Sequence, residues 1–285
     1  MMTQPRTVQF EGFDGVRLAG EAWGDSRNPP VMLLHGGGQT RYAWGGTARV
    51  LAHAGWYAVS LDLRGHGDSA WAPDGNYDID AFAADAAAVA TTFDIRPVVV
   101  GASLGGIASL IAEAETEGGL FAALVLVDIA PRMEPEGVQR IVGFMGEKLE
   151  EGFATLEEAA DAIAAYMPHR PRPKDLSGLQ KNLRRGDDGR YRWHWDPAFV
   201  SGKRPPAASR EPDRLLRAAR SLRLPTMLVR GRMSDICSEE SAREFLSLVP
   251  HARYVDVADA SHMVAGDRND VFTKAVVEFL AEIRG

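Results

Sequence analysis

The sequence predicts an α/β fold: a mostly parallel, eight-stranded sheet flanked by helices and interrupted by an inserted helical lid. Three observations carry this expectation. Short unbroken apolar runs, such as Val31-Met32-Leu33-Leu34 and Leu124-Val125-Leu126-Val127, alternate with helix-forming stretches. Strands that are apolar throughout belong to parallel sheets covered on both faces. The alternation stops for about ninety residues after Val127 and resumes at Thr226, and 285 residues with 45% hydrophobic content suffice for one large core plus an insertion.

Taken in order, Thr7 to Gly12 and Val16 to Trp23 read as strands joined through Asp14-Gly15, a strong hairpin signal. The strand Val31 to Leu34 is followed by a helix from Arg41 to Ala54, the strand Tyr57 to Leu61 and a helix from Ile79 to Phe93. The strand Pro97 to Val100, a helix from Leu104 to Ala114 and the strand Leu124 to Val127 complete the first block. From Pro131 to Arg220 the chain is helical in pattern, charged and punctuated by proline, with a loop-like run from Pro168 to Pro173. Residues 1–130 and 221–285 are therefore expected to form the core, and 131–220 the lid. The strand Thr226 to Val229, a helix from Glu239 to Leu248, the strand Arg253 to Val257 and an amphipathic helix from Val271 to Ile283 close the pattern.

The formal net charge of -7 argues against nucleic acid or an anionic membrane surface as partner. The N-terminus lacks the apolar region of a signal peptide and no segment has the apolar length of a membrane span, so a cytoplasmic protein is expected. The single cysteine, Cys237, allows neither an intramolecular disulfide nor a cysteine-built zinc site, and reads as a small, partly buried residue. No clustered metal-ligand set stands out.

Gly101-Ala102-Ser103-Leu104-Gly105 follows a buried strand and opens a helix, the context a nucleophile elbow requires. The turn is too tight for side chains two residues either side of the serine, which the two glycines satisfy. His35-Gly36-Gly37-Gly38 closes the preceding strand, and such a glycine run lets backbone amides face a developing oxyanion. The Leu104 and Gly37 amides are the expected donors, with Gly38 as a substitute and substrate contact. A serine needs a base with an acid behind it. His262 follows the last strand at the same sheet edge as Ser103, whereas His35 and His66 lie in glycine motifs that read as loop-shaping. Asp235, one connection earlier, is the expected acid; Asp128, ending the strand at Val127, is topologically able to replace it.

On these residues, and on Leu61-Asp62-Leu63-Arg64-Gly65-His66-Gly67-Asp68-Ser69, the chain resembles the α/β-hydrolase superfamily, in its branch of esterases, non-haem haloperoxidases and carbon–carbon bond hydrolases. The resemblance covers most of 7–130 and 222–285, and the lid falls where that family carries its variable cap. Dehalogenases and epoxide hydrolases of this fold use aspartate at the nucleophile position, where this chain has Ser103. Carbon–carbon hydrolases show Gly-Asn-Ser-Met-Gly at the elbow and a tryptophan after the histidine, where this chain has Ala102, Leu104 and Met263.

The expected activity is acyl transfer on a small-molecule carboxylic ester with an apolar or aromatic part, needing no cofactor. The alternatives are a carbon–carbon bond hydrolase or lactonase using the same triad, and a non-catalytic ligand receptor on the same fold. In the lid, Trp193 and Trp195 are candidate walls of an apolar pocket. From Pro168 to Arg220 there are 14 Lys and Arg against 6 Asp and Glu, which reads either as attraction for an anionic substrate or as a solvated charged face.

Overall fold

The computed structural model describes residues 4–168, 172, 175–206, 211–264 and 269–284. Strands β1 (Arg6–Glu11) and β2 (Arg17–Trp23) pair antiparallel. Their reversal uses two successive left-handed residues, Asp14 and Gly15 (φ 56° and 72°), the conformation an Asp-Gly pair adopts readily. There follow β3 (Pro30–Leu34), a 3-10 turn at Arg41–Trp44, α1 (Gly45–His53), β4 (Tyr57–Leu61) and α2 (Ile79–Ala90). The block ends with β5 (Val98–Ala102), α3 (Leu104–Glu115) and β6 (Ala123–Val127).

The insertion holds α4 (Pro135–Gly146), α5 (Leu156–Tyr166), a 3-10 turn at Ser177–Lys181, then β7 (Leu183–Arg185), β8 (Tyr191–Trp193) and the short α6 (Pro197–Ser201). It is not wholly helical, because β7 and β8 form an antiparallel hairpin. That hairpin turns through Gly186 to Gly189, where the Gly189 N–H donates to the Gly186 carbonyl (2.9 Å) and Gly189 alone is left-handed, at φ 79°. Residues 169–171 and 173 of the proline-rich run, and 174 after it, lie outside the described residues.

The chain ends with α7 (Pro212–Ser221), β9 (Thr226–Gly231), α8 (Glu239–Leu248), β10 (Arg253–Val257) and α9 (Asn269–Arg284). Helix α7 buries Leu215, Ala218 and Ala219 in the core, and Arg214 pairs with Glu115 of α3 and Asp80 of α2. It is a core helix, so the insertion ends before Pro212 rather than at 220.

The sheet order is β1-β2-β4-β3-β5-β6-β9-β10, parallel from β4 to β10. Alternate residues of a strand point to opposite faces. In β3, Val31 and Leu33 pack with Leu51 of α1 and Phe272 of α9, while Met32 and Leu34 pack with Phe82 of α2 and Ile107 of α3. This two-faced burial is why central strands such as β3 and β6 are apolar at every position. All parallel strands deliver their carboxyl ends to one edge, beneath the insertion. Among the described residues no helix is long and apolar enough to cross a membrane.

Candidate active site

Ser103 stands between β5 and α3 at φ 46° and ψ -113°, a backbone conformation that costs a non-glycine residue about 1–3 kcal/mol. Hydrogen bonds from its N–H to the Val127 carbonyl (3.1 Å) and from the Ile107 N–H to its carbonyl (2.9 Å) hold that strain in place. A Cβ at Gly101 would stand 2.6 Å from the Gly105 carbonyl oxygen, and one at Gly105 would stand 2.6 Å from that of Leu34. Neither position takes a side chain. Ser103 lines a cavity of about 790 Å³ that lies between the strand ends and the insertion.

The glycine run after β3 is a tight turn: the Gln39 N–H donates to the Gly36 carbonyl (3.1 Å), and Gly38 sits at φ 75° in the third position, which favours glycine. A Cβ at Gly36 would lie 3.2 Å from Ser103 Cβ, so the turn abuts the elbow. The Gly36 N–H is engaged by Gln39 Oε1 (3.0 Å) and the Gly38 N–H by His66 Nε2 (3.1 Å). Among the described residues, the N–H groups of Gly37 and Leu104 have no protein acceptor. Gly38 lines the cavity, but the expectation that it substitutes for Gly37 as a donor is corrected, because its amide hydrogen is already taken.

His262 follows β10 and lines the same cavity as Ser103. Its Nδ1 donates to Oδ2 of Asp128 at 2.7 Å, not to Asp235. Asp128 is fully buried at φ 51° and also accepts from the Gly231 N–H (2.8 Å) and the Ser234 hydroxyl. Asp235 lines the cavity too, but its carboxylate pairs with Arg140 of α4. The expectation of Asp235 as the histidine's partner is thus corrected. The reason is register: Ala102 pairs with Val127, so Ser103 and Asp128 are the next residues on neighbouring strands, whereas Asp235 lies four residues beyond the end of β9.

The matching family profile is described as the alpha/beta hydrolase fold and spans residues 29–268. The chain belongs to the α/β-hydrolase family. It is 31% identical over 258 residues to the esterase Rv0045c of Mycobacterium tuberculosis, covering 86% of this chain and 80% of that one. A crystal structure of that esterase superposes with a TM-score of 0.76 at 28% identity, over 99% of this chain and 93% of the other. A 3-hydroxybutyrate-oligomer hydrolase of Cupriavidus necator is 27% identical over 86% of this chain and 87% of its own. E-2-(acetamidomethylene)succinate hydrolase superposes with a TM-score of 0.80 at 21% identity, over 98% of this chain and all of the other, a likeness of fold.

In this α/β hydrolase the other histidines near the elbow are bracing groups. His35, His66 and His194 are buried, and burial pushes each down to about 3, so all three are neutral. Both ring nitrogens of each are engaged with backbone groups. The two glycine-motif histidines therefore match the loop-shaping reading, while His194 in the insertion carried no sequence signal beyond its place between two tryptophans. Cys237 is buried, which pushes its thiol up to about 12 and leaves it inert as a nucleophile.

Trp193 and Trp195 stack on each other with ring centroids 4.9 Å apart, and both line the cavity. Trp195 and Met145 pack over Gly38, and Phe199 over Gly37, so side chains of the insertion roof the glycine turn. Of the basic residues, Arg140, Arg172 and Lys181 line the cavity. Arg140 pairs with Asp235 and Arg172 with Asp161, while Lys181 lies over the Tyr42 ring. Outside the cavity, Arg192 pairs with Asp188 and Arg204 with Asp78 and Asp74.

Proposed function

We propose that this α/β hydrolase is a serine carboxylesterase that cleaves an ester with an apolar or aromatic part through an acyl-enzyme. The observation that carries the reading is the Asp128–His262 hydrogen bond, made from a fully buried carboxylate at the same sheet edge as the strained Ser103. In this reading Ser103 attacks the ester carbonyl as His262 takes its proton. Asp128 holds the ring with Nδ1 protonated and stabilises the imidazolium. The Gly37 and Leu104 amides receive the oxyanion, His262 returns the proton to the leaving alcohol, and water releases the acid by the same steps in reverse.

The esterase and oligomer-hydrolase names of the two relatives support ester cleavage. The apolar side chains over the glycine turn, Met145, Trp195 and Phe199, support an apolar or aromatic substrate part. The test is turnover of p-nitrophenyl butyrate together with labelling by a fluorophosphonate. Ser103→Ala should retain the folded state and lose both. A variant that hydrolyses the ester at the wild-type rate refutes the assignment.

A further inference from the structure

Three imidazoles brace the Gly36–Gln39 turn, and they come from three parts of the chain. His35 donates from Nδ1 to the Gly36 carbonyl (2.7 Å) and accepts the Leu63 N–H at Nε2 (3.0 Å). His66 accepts the Gly38 N–H at Nε2 (3.1 Å) and donates from Nδ1 to the Arg64 carbonyl (2.9 Å). His194, from the insertion, accepts the Gly67 N–H at Nδ1 (2.8 Å) and donates from Nε2 to the Gly38 carbonyl (3.3 Å). A backbone N–H only donates and a carbonyl only accepts, so these partners fix every tautomer. The rings adjoin in a row, with centroids 5.2 Å apart for His35 and His66 and 5.8 Å for His66 and His194.

Gly38 is thus gripped on one side by the core and on the other by the insertion. It is bonded directly to Gly37, whose N–H is one of the two amides beside the elbow without a protein acceptor among the described residues. Glycine has more backbone freedom than any other residue, and a run of three holds no donor still by itself. The Gly37 N–H shares its rigid peptide plane with the Gly36 carbonyl, which His35 holds; His66 at the Gly38 N–H and His194 at the Gly38 carbonyl hold the next two planes, so the turn that aims the Gly37 N–H is clamped along its length. The segment that carries His194 is itself seated on the core. The Asp196 N–H donates to the Gly65 carbonyl (2.8 Å), Tyr77 Oη donates to Asp196 Oδ2 (2.6 Å), and Arg184 donates to the Gly67 carbonyl.

We propose that His194 is a positioning residue, the insertion's grip on the oxyanion turn, so that the oxyanion site is complete only while the β7–β8 hairpin is seated. This rests on the reading of Gly37 and Leu104 as oxyanion donors. The insertion then acts on the chemical step, not only on substrate access.

A matched pair of variants tests it. His194→Gln keeps a donor near the Nε2 position for the Gly38 carbonyl and gives up the Gly67 contact. His194→Asn keeps an acceptor near Nδ1 for Gly67 and cannot reach Gly38. Displacing a catalytic group by about 1 Å costs up to about 100-fold in rate, so kcat for p-nitrophenyl butyrate should be about 10-fold or more lower in the Asn than in the Gln variant. KM should agree within about threefold, and a trifluoromethyl ketone, whose serine adduct carries an oxyanion, should lose affinity by the factor seen in kcat.

Equal kcat in the two variants, or a difference carried by KM or by unfolding midpoint alone, overturns the proposal. Should either variant fail to fold, Arg184→Met loosens the same seat from an exposed position. It should lower kcat and ketone affinity together, and no change in either overturns the proposal. The rate of fluorophosphonate labelling replaces kcat if the ester is not turned over. Turnover retained in Ser103→Ala sinks the esterase reading itself; a Ser103-dependent activity with no Gln–Asn difference sinks only the role of His194.

Discussion

Asp128 and Asp235 leave adjacent strands at the same edge of the sheet, yet they sit in different media. Asp128 is fully buried, strained, and surrounded by three donors, the Gly231 N–H, the Ser234 hydroxyl and His262 Nδ1. The side chain of Asp235 is 30% exposed and pairs with an arginine that is 62% exposed. Topology makes both eligible as partners of the histidine. Desolvation and donor supply separate them: a buried carboxylate persists only when it is fully hydrogen-bonded, and its contacts are then strong, whereas an exposed ion pair contributes about 0–1 kcal/mol. The same contrast divides the three neutral histidines beneath the site from the paired arginines on the insertion.

The sharpest way to break the comparison is to remove one charge at a time. Asp128→Asn turns a donor toward His262 and favours the wrong tautomer, so kcat should fall by about 10³–10⁴-fold, while Asp235→Asn should change kcat by no more than about threefold. Steady-state kinetics on both variants decide it, and similar losses in the two would dissolve the distinction.

Stability against pH reads the buried side of the contrast. His35, His66 and His194 lie near 3 when folded, below the ordinary histidine value of 6.5, so the unfolded chain binds more protons than the fold between those pH values. Their contribution is full above pH 6.5 and is lost as pH falls toward 3. With three such groups the slope reaches about 4 kcal/mol per pH unit at most. Burial raises the carboxyls of Asp62 and Asp85, which act in the opposite sense, so the histidines are read in the window around their ordinary value, about pH 5 to 7. Urea midpoints that stay flat across that window would contradict the neutral-histidine assignment.

Ser234→Ala removes one donor from Asp128 and two acceptor contacts, from the Ile236 and Cys237 N–H groups. Leaving a buried carboxylate one donor short should cost about 1–3 kcal/mol of stability, measured by denaturant unfolding. The smallest effect belongs to the exposed pair. Arg140→Gln should lower stability by no more than about 1 kcal/mol, and that difference should shrink as salt is raised. A salt-independent loss would place the pair in a drier environment than its exposure indicates.

The alternating strands and helices of the core were legible because the central strands are buried on both faces and therefore apolar at every position, as in Val31 to Leu34 and Leu124 to Val127. The elbow was legible because its constraint is local: Gly101 and Gly105 meet backbone within their own turn or the neighbouring strand end. The β7–β8 hairpin was masked by its charge, since Arg184, Arg185, Arg190 and Arg192 hide a period of two in a stretch whose strands are three residues long. The choice of Asp128 was hidden for a different reason. Nothing near residue 128 in the sequence reports that residue 262 reaches it.

By itself, the sequence determined the sheet, the elbow serine and the glycine turn, because strand periodicity and steric exclusion act over a few residues. Only the tertiary structure decided which carboxylate meets His262, which amides beside Ser103 stay open, and how a histidine of the insertion grips the glycine turn. Those outcomes depend on register between β5 and β6, on burial, and on hydrogen bonds such as that between His194 and Gly38, 156 residues apart.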